Sequence, residues 1–145
     1  MSERSNHEQA GSGVSFIDVP GWPKPKGYVN GALVTGRKTL YVAGQVGWNE
    51  RQEFDPDFAK QFAQALDNVL AVVRAAGGTP ESVVKMTIYV TDLPAYRAAQ
   101  RQLGSIWRER FGKHFPAMAL LGIAGLVEEK ALVEIETICA LDEAP

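Results

Sequence analysis

The sequence predicts a single α+β domain in which two helices pack on one face of a mixed β-sheet. Two segments, 58–73 and 96–111, carry apolar residues at helical spacing. Two others, 84–91 and 132–140, alternate apolar and polar residues as half-buried strands do. A chain of 145 residues buries one core without disulfides or metal ions and is too short for two such cores. We therefore expect one domain over residues 13–145.

The N-terminal third of the chain is predicted to hold a leader, a loop and a hairpin. Residues 1–12 are polar and contain Gly and Ser, which is typical of a disordered leader. Two prolines within residues 21–27 require a loop or an extended connection. Two apolar runs, 32–34 and 40–43, flank Gly36, and this pattern predicts a β-hairpin with Gly36 near its turn.

Both predicted helices begin at an aspartate with a proline close behind it. In the Asp-Pro-Asp run of residues 55–57, Asp55 is the expected N-cap and the proline occupies the first helical position. The helix ends at the Gly-Gly pair 77–78. The second helix begins near Asp92 and ends at Gly112. Both are expected on one sheet face, because strand–helix–strand units favour right-handed crossovers between parallel strands.

The later strands predict that the second face of the sheet is covered by another subunit. The run 117–123 is apolar on both sides, which is typical of a strand covered on both faces by helices or by a neighbouring chain. Left bare, the apolar residues of the second face would form an exposed patch, so we expect oligomerisation to cover them. The residues expected there are Leu132, Ile138, Met118 and Leu120.

Charge and hydropathy exclude several classes of protein. Fifteen Lys and Arg against seventeen Asp and Glu give a formal net charge of −2, which argues against nucleic acid as a partner. The longest nearly apolar run, 117–127, falls short of the ~20 residues of a membrane helix. The N-terminus has no apolar stretch of the kind found in a secretory signal. We expect a cytoplasmic protein without a membrane partner.

The cysteine and histidine content excludes the common metal sites. Cys139 is the only cysteine, so neither an intramolecular disulfide nor a four-thiolate zinc site can form. With only His7 and His114 beside it, no metal site is predicted. We interpret Cys139 as a small core residue, because no basic neighbour is evident that would make it a thiolate.

Glu134 and Glu136 are the strongest candidates for chemistry. Two residues apart on a strand, they share one face, with Cβ atoms roughly 7 Å apart. A carboxyl group held beside apolar neighbours can act as a general acid or base near neutral pH. The alternative is that both extend into solvent or pair with Lys130. Gly44 and Gln45 offer backbone N–H groups and an amide to a ligand, but such a pair after a strand is usually only a bend. These residues alone define no reaction.

Five segments, taken in order, form a more specific combination than any of them alone. They are YVAGQVG (41–47), QALDNVLAVVRAAGG (64–78), VVKMTIYVTDL (83–93), FPAMA (115–119) and VEIETICA (133–140). In this combination the chain resembles the RidA/YjgF family, the reactive intermediate deaminases, through most of residues 27–141.

The resemblance implies a chorismate-mutase-like α+β fold and a homotrimer, in which the sheets form a central barrel with clefts between subunits. Such proteins hydrolyse enamines and imines of small metabolites and use no cofactor. In active members an arginine in the strand after FPA or RPA binds the substrate carboxylate bidentately. The first acid of VEIE positions the attacking water.

Carried over position by position, the resemblance assigns the water-positioning, catalytic acid to Glu134. It assigns substrate-binding roles to Tyr28 and Gly44. Gln100 stands where the family has an asparagine on the second helix, and its longer amide is expected to bind substrate as well.

Met118 stands where the resemblance implies the arginine. A guanidinium gives a carboxylate two charge-assisted hydrogen bonds, each worth about 1.5–3 kcal/mol, and a thioether gives none. Leu120, two residues on, makes this substrate-binding wall more apolar still. We therefore expect a substrate other than a small 2-imino acid, one that is larger, less acidic or held elsewhere, with Arg37 or Lys38 as candidate cations.

Three functions remain open from the sequence. The first is hydrolysis of an imine or enamine metabolite through Glu134 and a bound water. The second is a non-catalytic ligand-binding or regulatory trimer that has lost turnover with the arginine. The third, cleavage of nucleic acid, is disfavoured by the acidic charge balance.

Overall fold

A four-stranded mixed sheet with helices on one face carries the fold, as the sequence predicts. The computed structural model describes residues 13–142. The predicted leader, residues 1–12, lies outside them. The strands are β1 (Val14–Ile17), β2 (Gly31–Val34), β3 (Lys38–Val46), β4 (Val83–Val90), β5 (Ala117–Gly122) and β6 (Val133–Leu141). The helices are α1 (Phe58–Ala75), α2 (Leu93–Ala98) and α3 (Gln100–Phe111).

The main sheet has the strand order β3-β6-β4-β5. β6 runs antiparallel to both of its neighbours, whereas β4 and β5 are parallel and are joined through α2 and α3. This crossover is the strand–helix–strand unit expected from the sequence. β3 and β5 are the edge strands of the main sheet.

α1 packs along β3, β6 and α3, and its buried side forms the centre of the core. The helix begins two residues later than predicted, because Asp57 and not Asp55 is its N-cap and accepts a hydrogen bond from the Lys60 amide at 3.0 Å. Asp55 instead accepts the amide of Asp57 at 2.8 Å, which closes the turn ahead of the helix. No helix within residues 13–142 is long and apolar enough to cross a membrane.

The second predicted helix is divided in two at Ala99. Asp92 caps α2 by accepting the Ala95 amide at 3.0 Å, as the sequence predicts. Ala99 ends α2 and precedes α3, which Gly112 terminates with a φ of 60°. The left-handed φ at Gly112 suits a residue without a Cβ.

The predicted hairpin around Gly36 is wrong, because β2 pairs with β1 and not with β3. The two short strands form a separate two-stranded sheet. Their apolar side chains pack on Val84, Ile138 and Ala140 of the main sheet. β1 has only four residues, too few for its alternation to stand out in the sequence. Burial of these apolar groups determines the pairing.

The predicted position of Met118 and Leu120 is also wrong. β5 pairs in register with β4, so that Met118 lies opposite Met86 and Leu120 opposite Ile88. Both partners belong to the core beneath the helices, and Met118 and Leu120 pack against that core. Ile138 is covered by β1 and β2, whereas Tyr41 and Leu121 are exposed on the second face, so the apolar surface there is carried by residues other than those expected. That face, here called the open face, presents Tyr41, Lys85, Thr87, Tyr89, Glu134 and Glu136.

Gln61 is a buried polar side chain that joins three segments of backbone. Its Nε2 donates to the carbonyls of Asp55, at 2.8 Å, and Lys130, at 2.9 Å. Its Oε1 accepts the amide of Leu132 at 2.8 Å. Gln61 is only 1% exposed, so these bonds satisfy backbone groups shielded from water. The side chain thereby fixes the segment that leads into β6.

We expect Gln61→Ala to lower the free energy of unfolding by about 2–4 kcal/mol, because it removes three hydrogen bonds and leaves buried backbone groups unpaired. Urea denaturation followed by circular dichroism measures this loss. Gln102→Ala, on the exposed side of α3, is the matched control and should change stability by less than about 0.5 kcal/mol. Equal effects of the two substitutions would contradict the role given to Gln61.

Candidate functional site

The structure brings Glu134 and Gly44 together on the open face. Glu134 of β6 lies opposite Val46 of β3, and the register between these strands shifts between Val42 and Gln45. This bulge presents the α-carbon of Gly44 to the glutamate. A Cβ built on Gly44 would lie 2.8 Å from Cδ of Glu134, closer than real side chains approach. The carboxyl group of Glu134 is therefore seated directly over the glycine.

Glu136, the second acid of the pair, already accepts a side-chain hydrogen bond. The phenol of Tyr89 donates a hydrogen bond to its Oε1 at 2.6 Å. This hydrogen bond raises the pKa of Tyr89, with further contributions from burial and from the negative charges of Glu136 and Glu134. Within residues 13–142, Glu134 has no such donor, and neither acid pairs with Lys130. The two carboxylates therefore differ: Glu136 accepts the hydrogen bond of Tyr89, whereas Glu134 is free to hold a water molecule.

Tyr28 and Met118 line a second region, a cavity of about 560 Å³ at the β5 edge. The Val29 amide donates to the Pro116 carbonyl at 3.1 Å, and Val29 bridges to Ala117. This short parallel pairing carries Tyr28, which is 43% exposed, to the β5 edge. The structure therefore places these two sequence-predicted residues in one cavity.

Gln100 and Leu120 lie in a third place, a pocket of about 200 Å³ between α3 and β5. Met118 lines this pocket as well as the larger cavity, and its side chain packs toward the helices, on the side of the pocket. Tyr96 and Trp107 give the pocket an aromatic wall. The environment is apolar, as expected around the methionine.

Glu134 and Met118 do not meet within one chain. They lie on strands separated by β4, and strands spaced about 4.8 Å apart leave about 10 Å between them. Glu134 is on the open face, whereas Met118 packs toward the helices. A single pocket containing both residues therefore requires a second copy of the chain.

Neither candidate cation from the sequence lies near Met118. Arg37 forms an ion pair with Asp142 and lines a separate cavity of about 730 Å³ near the ends of α1 and α3. Lys38 is exposed at the start of the edge strand β3. The cation that does line the Met118 cavity is Lys85, which the sequence analysis missed. The sequence pattern that could have identified Lys85 is the alternation in β4, which puts it on the same face as Tyr89 and Glu134.

Comparisons with known proteins agree with this fold. The chain matches the family described as Endoribonuclease L-PSP over residues 23–141. It is 35% identical over 125 residues to the RutC family protein UK114 of Drosophila melanogaster, with coverage of 85% of this chain and 86% of that protein. It is 30% identical over 118 residues to the RutC family protein PH0854 of Pyrococcus horikoshii, covering 80% and 89%.

Two solved structures show the same architecture. The Rid family protein YyfB from Yersinia pestis superposes with a TM-score of 0.78 at 31% identity, covering 89% of this chain and 99% of that one. The YjgF gene product from E. coli gives a TM-score of 0.65 at 32% identity, covering 81% and 91%. Fold and matches together define a small α+β protein with helices on one face of a mixed sheet. Within that class, the chain belongs to the RidA/YjgF family.

Cys139 has the environment of an inert core residue, as predicted. It is fully buried on the helix-packed side of β6. Burial raises the pKa of its thiol to about 11. The thiolate that would act as a nucleophile is therefore scarce at neutral pH.

We expect the native protein at pH 8 to react with a thiol reagent at least about 100-fold more slowly than the urea-unfolded chain, because both burial and the raised pKa of Cys139 protect the sulfur. Absorbance of the released chromophore measures the rate. Raising the pH toward the thiol pKa should speed the native reaction. Equal rates for native and unfolded protein at pH 8 would contradict this environment.

Proposed function

We propose that this protein is a RidA-like hydrolase, a deaminase of imine or enamine metabolites, that needs no cofactor and works in a cleft between copies of the chain. The observation that carries the proposal is the position of Glu134, whose carboxyl group lies over the bare α-carbon of Gly44 without a hydrogen-bond donor of its own among the described residues. The resemblance of the VEIE segment to the family's motif supports the role of Glu134 as the acid that positions the attacking water.

The chemistry requires one group that accepts and then returns a proton. Glu134 takes a proton from water as the water oxygen attacks the imine carbon, which gives a carbinolamine. With the imine nitrogen protonated at the start, the same proton then passes to the carbinolamine nitrogen. As the C–N bond breaks, Glu134 accepts the hydroxyl proton of the carbinolamine, and ammonia and a carbonyl product are released. An enamine first receives a proton on its β-carbon to become the imine. Because Gly44 has no side chain, the carboxyl group of Glu134 can lie directly over its α-carbon.

A homotrimer supplies the missing part of the site in this proposal. One copy contributes Glu134 and Gly44 from the open face, and another contributes Tyr28 and Met118 from the β5 edge. The separation of the two groups within one chain supports this arrangement, because neither group is complete alone. A particle that proves monomeric in analytical ultracentrifugation would contradict it.

Met118 argues against small 2-imino acids as substrates. Its thioether cannot form the paired hydrogen bonds that a guanidinium gives a carboxylate. The pocket on its other side is lined by Gln100, Leu120 and aromatic residues of α2 and α3. These surroundings favour a substrate with a larger apolar portion, or with its charge held away from Met118.

The alternative is a non-catalytic ligand-binding or regulatory trimer, and Met118 is the observation that favours it. Saturable binding of a metabolite without product formation would support this reading, and rapid hydrolysis of small 2-imino acids would exclude it. The endoribonuclease activity in the name of the matching family finds less support, because the net charge of −2 does not favour phosphate backbones.

We expect Glu134→Gln to lower kcat/KM for imine hydrolysis by about 100-fold or more, because glutamine cannot accept the proton of the attacking water. A panel of imines generated in situ, including neutral ones, and ammonia release provide the assay. Glu136→Gln is the matched control on the same face of β6 and should change kcat/KM by less than about threefold. Unchanged turnover in Glu134→Gln would exclude the mechanism.

We expect Gly44→Ala to lower turnover by about tenfold or more with little loss of stability. The new methyl group would displace the flexible end of the Glu134 side chain and would not meet backbone. Steady-state kinetics and thermal unfolding, measured together, separate the two effects. Gly125→Ala is the control, since a Cβ there meets no atom within 4 Å. Full activity of Gly44→Ala would show that turnover does not require the Glu134 carboxyl group to lie over the α-carbon of residue 44.

A further inference from the structure

Lys85 is a charged side chain on the open face to which the proposed mechanism gives no role. It lies on β4 opposite Ala117 of β5 and Ile138 of β6, so its backbone is held from both sides. Its side chain is exposed and lines the 560 Å³ cavity beside Tyr28 and Met118. Among the residues described by the structure, it is the only charged one that lines this cavity.

The ammonium group of Lys85 has no carboxylate partner within residues 13–142, whereas three other cations of this part of the chain do. Arg37 pairs with Asp142, Arg110 binds Asp67 at 2.7 Å, and Lys60 lies 3.8 Å from Asp55.

One acid does share a cavity with Lys85. A smaller cavity of about 240 Å³ on the open face is lined by both Lys85 and Glu136. The Oε1 of Glu136 accepts the short hydrogen bond from Tyr89, and no ion pair joins it to the lysine. The positive charge of Lys85 therefore remains available to a ligand in the larger cavity.

The rest of the larger cavity is suited to the apolar part of such a ligand. Ala117, Ala119 and Ile138 line it with small or aliphatic side chains, and the Tyr28 hydroxyl and Asn30 amide are its other polar side-chain groups. Because the Lys85 side chain is exposed, its attraction for an anion is that of a charge near a protein surface, and burial of the apolar part of the ligand against the lining adds to it. The ammonium group of lysine can also bind an anion from a broader range of directions than the planar guanidinium group of arginine.

We infer that Lys85 binds the anionic group, a carboxylate, of a small molecule whose apolar remainder lies along Ala117, Ala119 and Ile138. Lys85 on β4 is thus the anion-binding cation, whereas the resemblance implies a cation on β5, at the position of Met118. This inference rests on the proposed function and deepens it, because it names the substrate class as an acid whose charge is held by β4 rather than by β5.

Hexanoate and its neutral isostere hexanamide are suitable probes, because neither contains an imine that could be consumed. Isothermal titration calorimetry measures their affinities for the wild-type protein and for Lys85→Met, Lys85→Gln, Lys85→Arg and Lys60→Met. We expect the wild type to bind hexanoate at least about tenfold more tightly than hexanamide. Lys85→Met and Lys85→Gln should lose this preference, and Lys85→Arg should keep most of it. Lys60→Met, a neutralised surface lysine of α1, should behave as wild type.

The inference is overturned if wild-type protein shows no saturable binding of hexanoate in the millimolar range, or binds both probes equally. It is also overturned if either neutral variant, shown to be folded by circular dichroism, keeps the preference. Separate turnover assays distinguish this failure from that of the proposed hydrolysis. Lys85-dependent binding without turnover of any imine would leave Lys85 as the anion-binding residue and reject catalysis. Turnover that depends on Glu134, together with binding that does not depend on Lys85, would support the proposed hydrolysis and reject the binding role of Lys85.

Discussion

The buried amide of Gln61 is the interaction on which the candidate site depends. It draws together the loop before α1 and the segment that enters β6, and it does so from the first turns of the helix that forms the core. Gly47 sits so close against the backbone of Gln61 that a side chain there would collide with the helix. The end of β3 and the start of β6 are therefore held against the same helix turn. Glu134 and Gly44 lie just inside these two ends, which is why they meet.

The helices and the last strand were predictable because their patterns are long. α1 carries an apolar stripe over several turns, and the alternation of β6 separates buried Ile135 from the acids on either side of it. The hairpin was mispredicted because nearness in sequence favoured β3 as the partner of β2. The true partner, β1, is recognisable only from the apolar surface that both strands cover on the main sheet.

The candidate site was predictable only in part, for a related reason. Glu134 and Gly44 were candidates from the residues alone, whereas Tyr28, Gln100 and Met118 came from the family resemblance. The structure brings Glu134 and Gly44 together. The face occupied by Met118 depends on the register of β5 against β4, and an apolar run on both sides of a strand carries no information on register. The alternation of β4 does indicate the face of Lys85, but its neighbours are set by pairing with β5 and β6 rather than by its own segment.

The bulge in β3 has a consequence for how this protein can change over evolution. Main-chain pairing between β3 and β6 sets the position of Glu134 above the sheet. Core side chains of the helices on the opposite face can therefore be exchanged without moving Glu134. The walls contributed by β5 and α3 lie on elements outside this strand pair, so their side chains can vary independently. Such an arrangement separates a constant reactive centre from adaptable walls, which would let related chains diverge in the molecules they accept while keeping a common chemistry.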